Sequence, residues 1–246
     1  MINWQNAYNT PGWMLWRDLI LLGTIAKHTA ENSNFIEIGS FVGRSTMAIK
    51  DNLPKNTCLT SVDPLSTEIW SAYKMGPGCL GDQKDKTDSK IYSNWQEMVK
   101  IAQEHDSWIP SFKYCTNFVE SDTWKLITKR SDEYIIPDNM NIDAVFIDGD
   151  HSTEQVERDI CKFIDADPKD EMLMLGHDLN LDHHDDIYPA LVRTQRNPRY
   201  GHRRRILVQM QLSEIWFLWP TVGKWANLLP QIIKEVNHTS EYFNQK

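Results

Sequence analysis

The chain has 246 residues, a hydrophobic fraction of 41% and a net charge of -8 at pH 7. This length and apolar content suffice for one α/β domain with a full core, and the acidic balance argues against a nucleic-acid partner. The sequence has no run of about 18 apolar residues and no basic-then-apolar signal pattern at its N-terminus. We therefore expect a cytoplasmic protein with no membrane contact.

Apolar periodicity predicts a helix from Trp13 to Ala30, followed by a strand-like run from Asn34 to Gly39. This run leads through the segment E-I-G-S-F-V-G-R-S-T (37–46) into a second helix. Two glycines allow a sharp turn and a close approach to a ligand, and the amides of the helix start would face that ligand. The loop therefore predicts a nucleotide-like cofactor. Its predicted contacts are Glu37, Gly39, Ser40, Gly43, Arg44 and Ser45.

Glu37 separates two classes of cofactor. Dinucleotide dehydrogenases use G-x-G-x-x-G, in which the helix amides meet a pyrophosphate, but this chain has Glu37 in place of the first glycine. A carboxylate at this position repels a pyrophosphate and suits a cationic cofactor without phosphate. An NAD-dependent dehydrogenase is therefore a weaker alternative.

The second strand-like run, from Cys58 to Asp63, ends in an acid that lies 24 residues after Gly39. In nucleotide-binding α/β folds, an acid about 20 residues past the glycine turn accepts hydrogen bonds from the ribose hydroxyls. Asp63 is predicted to do this. The alternative is an Asp-Pro turn that only ends the strand.

Residues 65–110 are too long for one connection, because 76–86 has loop composition and a helical run from Asn94 to His105 follows. Long loops in compact domains are usually functional or mobile. We interpret this insertion as a lid over the substrate, with a disordered surface segment as the alternative.

An apolar run from Ile142 to Asp148 ends in D-G-D-H (148–151), which contains two acids and a histidine. An acid that closes an apolar strand needs a partner, which favours a function for Asp148 and His151. Asp150, in contrast, can simply cap the helix that begins near Ser152.

Strand-like runs separated by helical patterns predict an α/β, Rossmann-like, seven-stranded, mostly parallel sheet with helices on both faces. The last two runs should form an antiparallel hairpin at the C-terminal edge. Ligands of such sheets bind beyond the carboxyl ends of the strands, where Glu37, Asp63, Asp148 and Asp178 are predicted to lie. The seven runs are Asn34–Gly39, Cys58–Asp63, Ser111–Cys115, Ile142–Asp148, Met172–Gly176, Arg205–Gln211 and Glu214–Trp219.

The loop E-x-G-x-x-x-G (37–43), the acid Asp63 and the string F-I-D-G-D-H-S-T-E-Q-V-E-R-D-I (146–160) together resemble class I S-adenosylmethionine-dependent methyltransferases. The resemblance is to a D-G-x-H family of small-molecule O-methyltransferases, related to sugar and macrolide enzymes and distantly to the catechol type. It implies S-adenosylmethionine as cofactor and a hydroxyl of a sugar or secondary metabolite as acceptor. By the same resemblance, Asp148 would bind a divalent metal and contact the cofactor, and His151 would take the proton.

The family usually supplies further metal ligands after the next strand, as two adjacent acids or an Asp-Asn pair. Here the residues are G-H-D-L-N (176–180), so Asp178 fits while His177 and Leu179 depart from the pattern. The predicted ligands are Asp148, Asp178 and His177, with Mg²⁺ or Mn²⁺ as candidate metals. Imidazole suits manganese or iron better than magnesium. A metal-free reaction with His151 or His177 as the base stays open.

We interpret residues 1–246 as a single methyltransferase domain with an N-terminal helical extension (1–32), the lid-like insertion (65–110) and a C-terminal helix and tail (221–246). Aromatic residues around Trp4, Trp13 and Trp16 indicate a homo-oligomer contact. The alternative function is a cofactor-binding relative with a non-methyltransferase, hydroxylase-like activity, or a binding module without catalysis.

Overall fold

The computed structural model describes residues 2–67, 90–179, 187–201, 205–210 and 213–244. The helices in this part of the chain are α1 (Gln5–Asn9), α2 (Trp16–Lys27), α3 (Arg44–Lys50), α4 (Lys90–His105), α5 (Ile109–Thr116), α6 (Thr153–Asp165), α7 (Ile187–Arg196) and α8 (Leu229–Asn244), with a short 3₁₀ helix at Trp225–Asn227. The strands are β1 (Asn34–Ile38), β2 (Cys58–Val62), β3 (Trp124–Ile127), β4 (Ile142–Ile147), β5 (Leu173–Gly176), β6 (Arg205–Gln209) and β7 (Trp216–Pro220).

The strands form one seven-stranded sheet in the order β3-β2-β1-β4-β5-β7-β6. The first five strands in that order pair in parallel, and β7 runs antiparallel to both β5 and β6. The predicted Rossmann-like fold and its antiparallel edge hairpin are confirmed. Register places Ile38 of β1 beside Val62 of β2 and Ile147 of β4, so the residues that follow these strands emerge side by side.

Successive residues of a strand point to opposite faces of the sheet, and β1 shows the consequence. Phe35 packs in a core cluster with Leu22 of α2 and Phe217 of β7, whereas Ile36 packs in a second cluster with Val156 of α6 and Leu191 of α7. Both faces are therefore covered, and the strand ends are left for a ligand. Within the described ranges, no helix has the length and apolar character needed to cross a bilayer.

The predicted strand Ser111–Cys115 is wrong, because these residues lie in α5. Pro110 stands in the first turn of that helix, and its buried positions Ser111, Phe112 and Thr116 follow the helical spacing rather than the alternation of a strand. The missing edge strand is β3, whose Trp124 pairs with Leu59 of β2. The predicted number of strands is correct, but the third one was misplaced.

Two predicted helices are confirmed with adjusted bounds. The run from Trp13 to Ala30 contains α2, and the run from Asn94 to His105 lies within α4. Residues 68–89 of the insertion that we interpret as a lid (65–110) lie outside the described residues, as does the acidic and histidine-rich run 182–186.

Candidate active site

A cavity of about 830 Å³ opens over the carboxyl ends of β1, β2, β4 and β5. The structure brings most of the predicted site residues to its wall: Gly39, Ser40, Arg44, Ser45, Asp63, Asp148, His151, His177 and Asp178. Glu37 and Gly43 are not among the lining residues. The wall also includes residues that no motif indicated: Gly12, Trp13, Met14, Pro64, Arg130 and Ser131.

The two loop positions require glycine for different structural reasons. Gly39 has a φ of 84°, and a Cβ added to it would lie 2.0 Å from the carbonyl oxygen of Asp148. Gly43 has a φ of 97°, and its added Cβ would lie 2.1 Å from Cγ2 of Thr116 in α5. Gly39 therefore lets the β1 loop touch the end of β4, while Gly43 lets α5 approach the start of α3.

Gly39→Ala should lower the free energy of unfolding by at least ~2 kcal/mol. The alanine would be held in a left-handed backbone conformation, and its Cβ would clash with the backbone of Asp148. The matched control is Gly149→Ala, whose added Cβ would meet only Ile38 Cγ2 at 3.3 Å among nearby side chains. Urea unfolding of both variants measures the difference. Equal losses would show that close approach at Gly39 is not needed.

Glu37 is fully buried beneath this loop. One carboxylate oxygen accepts a hydrogen bond from Ser45 at 2.7 Å, and the other accepts from Thr46 and Ser61, each at 2.7 Å. These bonds join β1 to the start of α3 and to β2. Burial raises the pKa of Glu37 to about 7 although the three hydroxyls lower it. The side chain thus holds the loop from below instead of forming the cavity wall.

The raised pKa of Glu37 makes stability pH-dependent. Below pH 4.5 the group is protonated in both states; between 4.5 and about 7 it ionises first in the unfolded chain. Stability should therefore fall by up to ~3 kcal/mol over this window and level off above it. Glu37→Gln cannot ionise, so we expect this fall to be absent when urea unfolding of wild type and variant is compared from pH 4.5 to 8. Parallel curves would contradict the prediction.

Asp63 is 3% exposed and binds the backbone on both sides of the cavity floor. Its Oδ2 accepts hydrogen bonds from the backbone N–H groups of Ser40 at 2.9 Å and Phe41 at 2.8 Å. Its Oδ1 accepts one from the N–H of Leu65 at 2.8 Å. Phe41 and Leu65 both have left-handed backbones, with φ values of 45° and 48°. Burial raises the pKa of Asp63 against the opposing effect of these amides. Asp63 therefore holds two strained residues in place.

A cluster of two carboxylates and two imidazoles follows β4 and β5. Nε2 of His151 lies 3.1 Å from Oδ2 of Asp178 and 3.7 Å from Oδ1 of Asp148. Nδ1 of His177 lies 3.2 Å from Oδ1 of Asp178. The His151 side chain is 51% exposed, whereas that of His177 is 7% exposed. Of these two histidines, His151 is therefore the one more open to a substrate.

Opposite charges set the protonation of this cluster. Burial raises the pKa of Asp148, with the neighbouring Asp178 acting in the same direction. Burial also acts to raise the pKa of Asp178, but His177 and His151 outweigh it and the pKa is lowered. For both histidines, burial lowers the pKa while the carboxylates raise it, and the net result is a raised pKa, most strongly for His177.

Asp148, His177 and Asp178 could hold one metal ion. Each offers a ligand atom, and these atoms lie within 4.8 Å of one another. Two carboxylate oxygens and one imidazole nitrogen suit Mn²⁺ or Fe²⁺ better than Mg²⁺, which favours oxygen ligands. The donor set therefore fits a divalent transition metal.

The N-terminal segment reaches the cavity through Arg44. This guanidinium donates to the carbonyls of Met14 at 2.8 Å, Tyr8 at 3.0 Å and Thr10 at 2.6 Å. Arg44 lines the cavity, as predicted for a cofactor contact, and its guanidinium also fixes residues that lie 30 or more positions earlier in the chain. Trp13, brought to the cavity in this way, stands 5.2 Å from the ring of Phe41.

These features define an α/β protein with a cavity at the carboxyl ends of its parallel strands, where open sheets of this kind bind ligands. A family model described as a methyltransferase domain matches residues 36–179. Because the match covers more than half of the chain, the protein belongs to this methyltransferase family. No curated protein matches the sequence.

Several solved structures match the chain at low sequence identity. A protein from Corynebacterium glutamicum is 15% identical, with 84% of this chain and 81% of that chain covered and a TM-score of 0.50. An O-methyltransferase from Bacillus cereus in complex with S-adenosylhomocysteine (SAH) is 13% identical over 82% and 79% of the two chains, with a TM-score of 0.40. An O-methyltransferase from Streptomyces achromogenes in complex with S-adenosylmethionine is 13% identical over 82% and 76%, with a TM-score of 0.40. The likeness to the Corynebacterium protein supports the fold.

Proposed function

We propose that the protein transfers a methyl group from S-adenosylmethionine to a hydroxyl oxygen of a small molecule, such as a sugar or a secondary metabolite. One observation carries this proposal: a single cavity joins the Gly39 loop and Asp63 to the cluster of Asp148, His151 and Asp178. A cofactor bound over the loop would direct its methyl group toward an exposed histidine. Such an arrangement places two reactants together, which removes much of the entropic barrier.

In this proposal, the cofactor-binding half of the cavity is formed by the backbone amides at the start of α3 and by Asp63. A carboxylate has about four acceptor sites, and the backbone amides use three of those of Asp63. The remaining site can accept one ribose hydroxyl. The sequence predicts that Asp63 accepts from more than one ribose hydroxyl, but one site remains, so Asp63 would act mainly by shaping the loop on which the cofactor rests.

His151 is the proposed general base. As the acceptor oxygen attacks the methyl carbon, the bond from that carbon to sulfur breaks, SAH leaves, and the hydroxyl proton passes to an imidazole nitrogen of His151. Asp178 orients this ring through the 3.1 Å contact. The exposure of His151 favours it over His177, whose two ring nitrogens both face carboxylates.

Asp148, Asp178 and His177 would hold the divalent ion, with Mn²⁺ favoured by the imidazole. When bound, such an ion lowers the pKa of a coordinated hydroxyl and orients it. The backbone of Asp148 also packs against Gly39. The end of β4 that would bind the metal is therefore in direct contact with the loop that would bind the cofactor.

Titration calorimetry of SAH on the full chain, with and without Mn²⁺, tests the proposal. We expect SAH binding with an affinity in the range of enzyme KM values, about 1 μM to 1 mM. Transfer from methyl-labelled S-adenosylmethionine to a panel of sugar and phenolic hydroxyls then identifies the acceptor class. Absence of SAH binding under every condition would refute methyl transfer and leave a binding module or a non-methylating relative.

A further inference from the structure

Asp18 reaches the active site from α2, which lies outside the matched methyltransferase region. Asp18 is 1% exposed to solvent. One oxygen accepts a hydrogen bond from Ser213 at 2.6 Å, and the other lies 3.4 Å from Nε2 of His177. A buried carboxylate is retained only where partners compensate its lost hydration, and His177 is one of those partners.

His177 is fixed between two carboxylates. Its Nε2 faces Asp18, its Nδ1 faces Asp178, and its backbone carbonyl accepts the indole N–H of Trp216 at 3.2 Å. A Cβ added to Gly176, the preceding residue, would lie 2.3 Å from the Trp216 ring. The ring of His177 therefore has one orientation, with Nδ1 toward the active-site acids.

This geometry is typical of a histidine that binds metal. Such a histidine donates the N–H of its second ring nitrogen to a carboxylate, which fixes the tautomer and makes the ligating nitrogen more basic. Here Asp18 lies 3.4 Å from the second nitrogen, Nε2, and the first, Nδ1, lies 3.2 Å from Oδ1 of Asp178. One ring nitrogen of His177 lies within 4.8 Å of carboxylate oxygens of both Asp148 and Asp178.

We propose that Asp18 is a positioning residue that keeps a proton on Nε2 of His177 and thereby presents Nδ1 to a divalent ion held with Asp148 and Asp178. The inference rests on the active site of the proposed function, and it adds a residue from the N-terminal helix to that site. A purely structural ion pair is the competing explanation, since the same contact also attaches α2 to the end of β5.

Asp18→Asn separates the two explanations, because the amide keeps the shape of the side chain and removes its charge. Mn²⁺ binding is measured by the electron paramagnetic resonance signal of the free ion, with and without SAH. We expect Mn²⁺ affinity to fall about 10- to 100-fold, the usual effect of losing a residue that orients a metal ligand. SAH affinity should stay within about 2-fold of wild type, since Asp18 does not line the cavity.

Two further variants complete the test. Thr24→Val changes another buried polar residue of α2, whose hydroxyl bonds the carbonyl of Ile20, and it should leave Mn²⁺ affinity unchanged. Ser213→Ala removes the hydroxyl that holds Asp18 and should weaken Mn²⁺ binding to a lesser extent than Asp18→Asn. If Asp18→Asn does not fold, Ser213→Ala provides the deciding measurement.

The outcomes distinguish this inference from the proposed function. If wild type binds SAH but not Mn²⁺, or if Asp18→Asn binds Mn²⁺ as tightly as wild type, the role of Asp18 is overturned and methyl transfer stands. A lower melting temperature without a loss of Mn²⁺ affinity would likewise identify a structural ion pair. If wild type fails to bind SAH, methyl transfer is refuted, while the Mn²⁺ titrations still decide the role of Asp18.

Discussion

Replacing His151 with alanine should lower turnover on a hydroxyl acceptor by about 10²- to 10⁴-fold, the usual contribution of a general base. The ring is 51% exposed at the cavity wall, and its Nε2 is held 3.1 Å from Asp178. An exposed imidazole can approach a bound hydroxyl, whereas the ring of His177 is enclosed. Because the proposed cofactor site lies on the loop after β1, away from His151, SAH affinity should not change.

The measurement compares the rate of methyl transfer from labelled cofactor with the affinity for SAH in the same preparation. His151→Gln serves as a second variant that keeps hydrogen-bonding capacity, and His105→Ala, at the exposed end of α4, controls for the loss of a histidine. Turnover equal to wild type in both His151 variants would show that His151 is not the general base and would assign that role to His177.

The strand ends were predictable because each carries a local pattern. β1, β2, β4 and β5 are apolar runs closed by an acid or by a glycine, and parallel pairing brings their ends to one edge of the sheet. Asp63, Asp148, His151 and Asp178 therefore line one cavity, as the sequence indicated. The edge strand β3 has only four residues, too few to show alternation. Helix α5 has only 8 residues, about two turns, too few to show a clear helical period.

Other contacts have no local pattern. Arg44 binds carbonyls of the N-terminal segment, and Asp18 meets His177 across 159 residues of sequence. Spacing along the chain cannot indicate such partners, since the packing of α1 and α2 on the sheet decides them.

Glu37 represents an intermediate case. The motif indicated the residue, but its partners Ser45, Thr46 and Ser61 give it a role beneath the loop. A useful signal was present in the sequence: hydroxyl residues at buried positions of β2 and α3 require a polar partner, and the acid of β1 is the neighbour that register places beside Ser61.

Replacing Asp63 with alanine should weaken SAH binding by at least about 100-fold. Three buried amides lose a charged acceptor, and each such loss costs ~1–3 kcal/mol; Phe41 and Leu65 would also be free to leave their left-handed conformations. A loss of ~3 kcal/mol within the loop alone corresponds to this change in affinity. Asp63→Asn should weaken SAH binding almost as much. Its side-chain amide has one acceptor oxygen, which cannot accept hydrogen bonds from the backbone N–H groups on both sides.

Calorimetric titration with SAH measures the effect, with the melting temperature recorded for each variant. Asp150→Ala is the matched control, because Asp150 lines the same cavity and caps the backbone amide of Ser152 at 3.0 Å without touching the loop; its SAH affinity should remain within a few fold of wild type. An Asp63→Ala protein that folds and binds SAH as tightly as wild type would show that the Gly39 loop holds its conformation without this carboxylate. The strain at Phe41 would then have to be balanced by packing, and the ring contact between Phe41 and Trp108, with centroids 5.3 Å apart, would be the next interaction to remove.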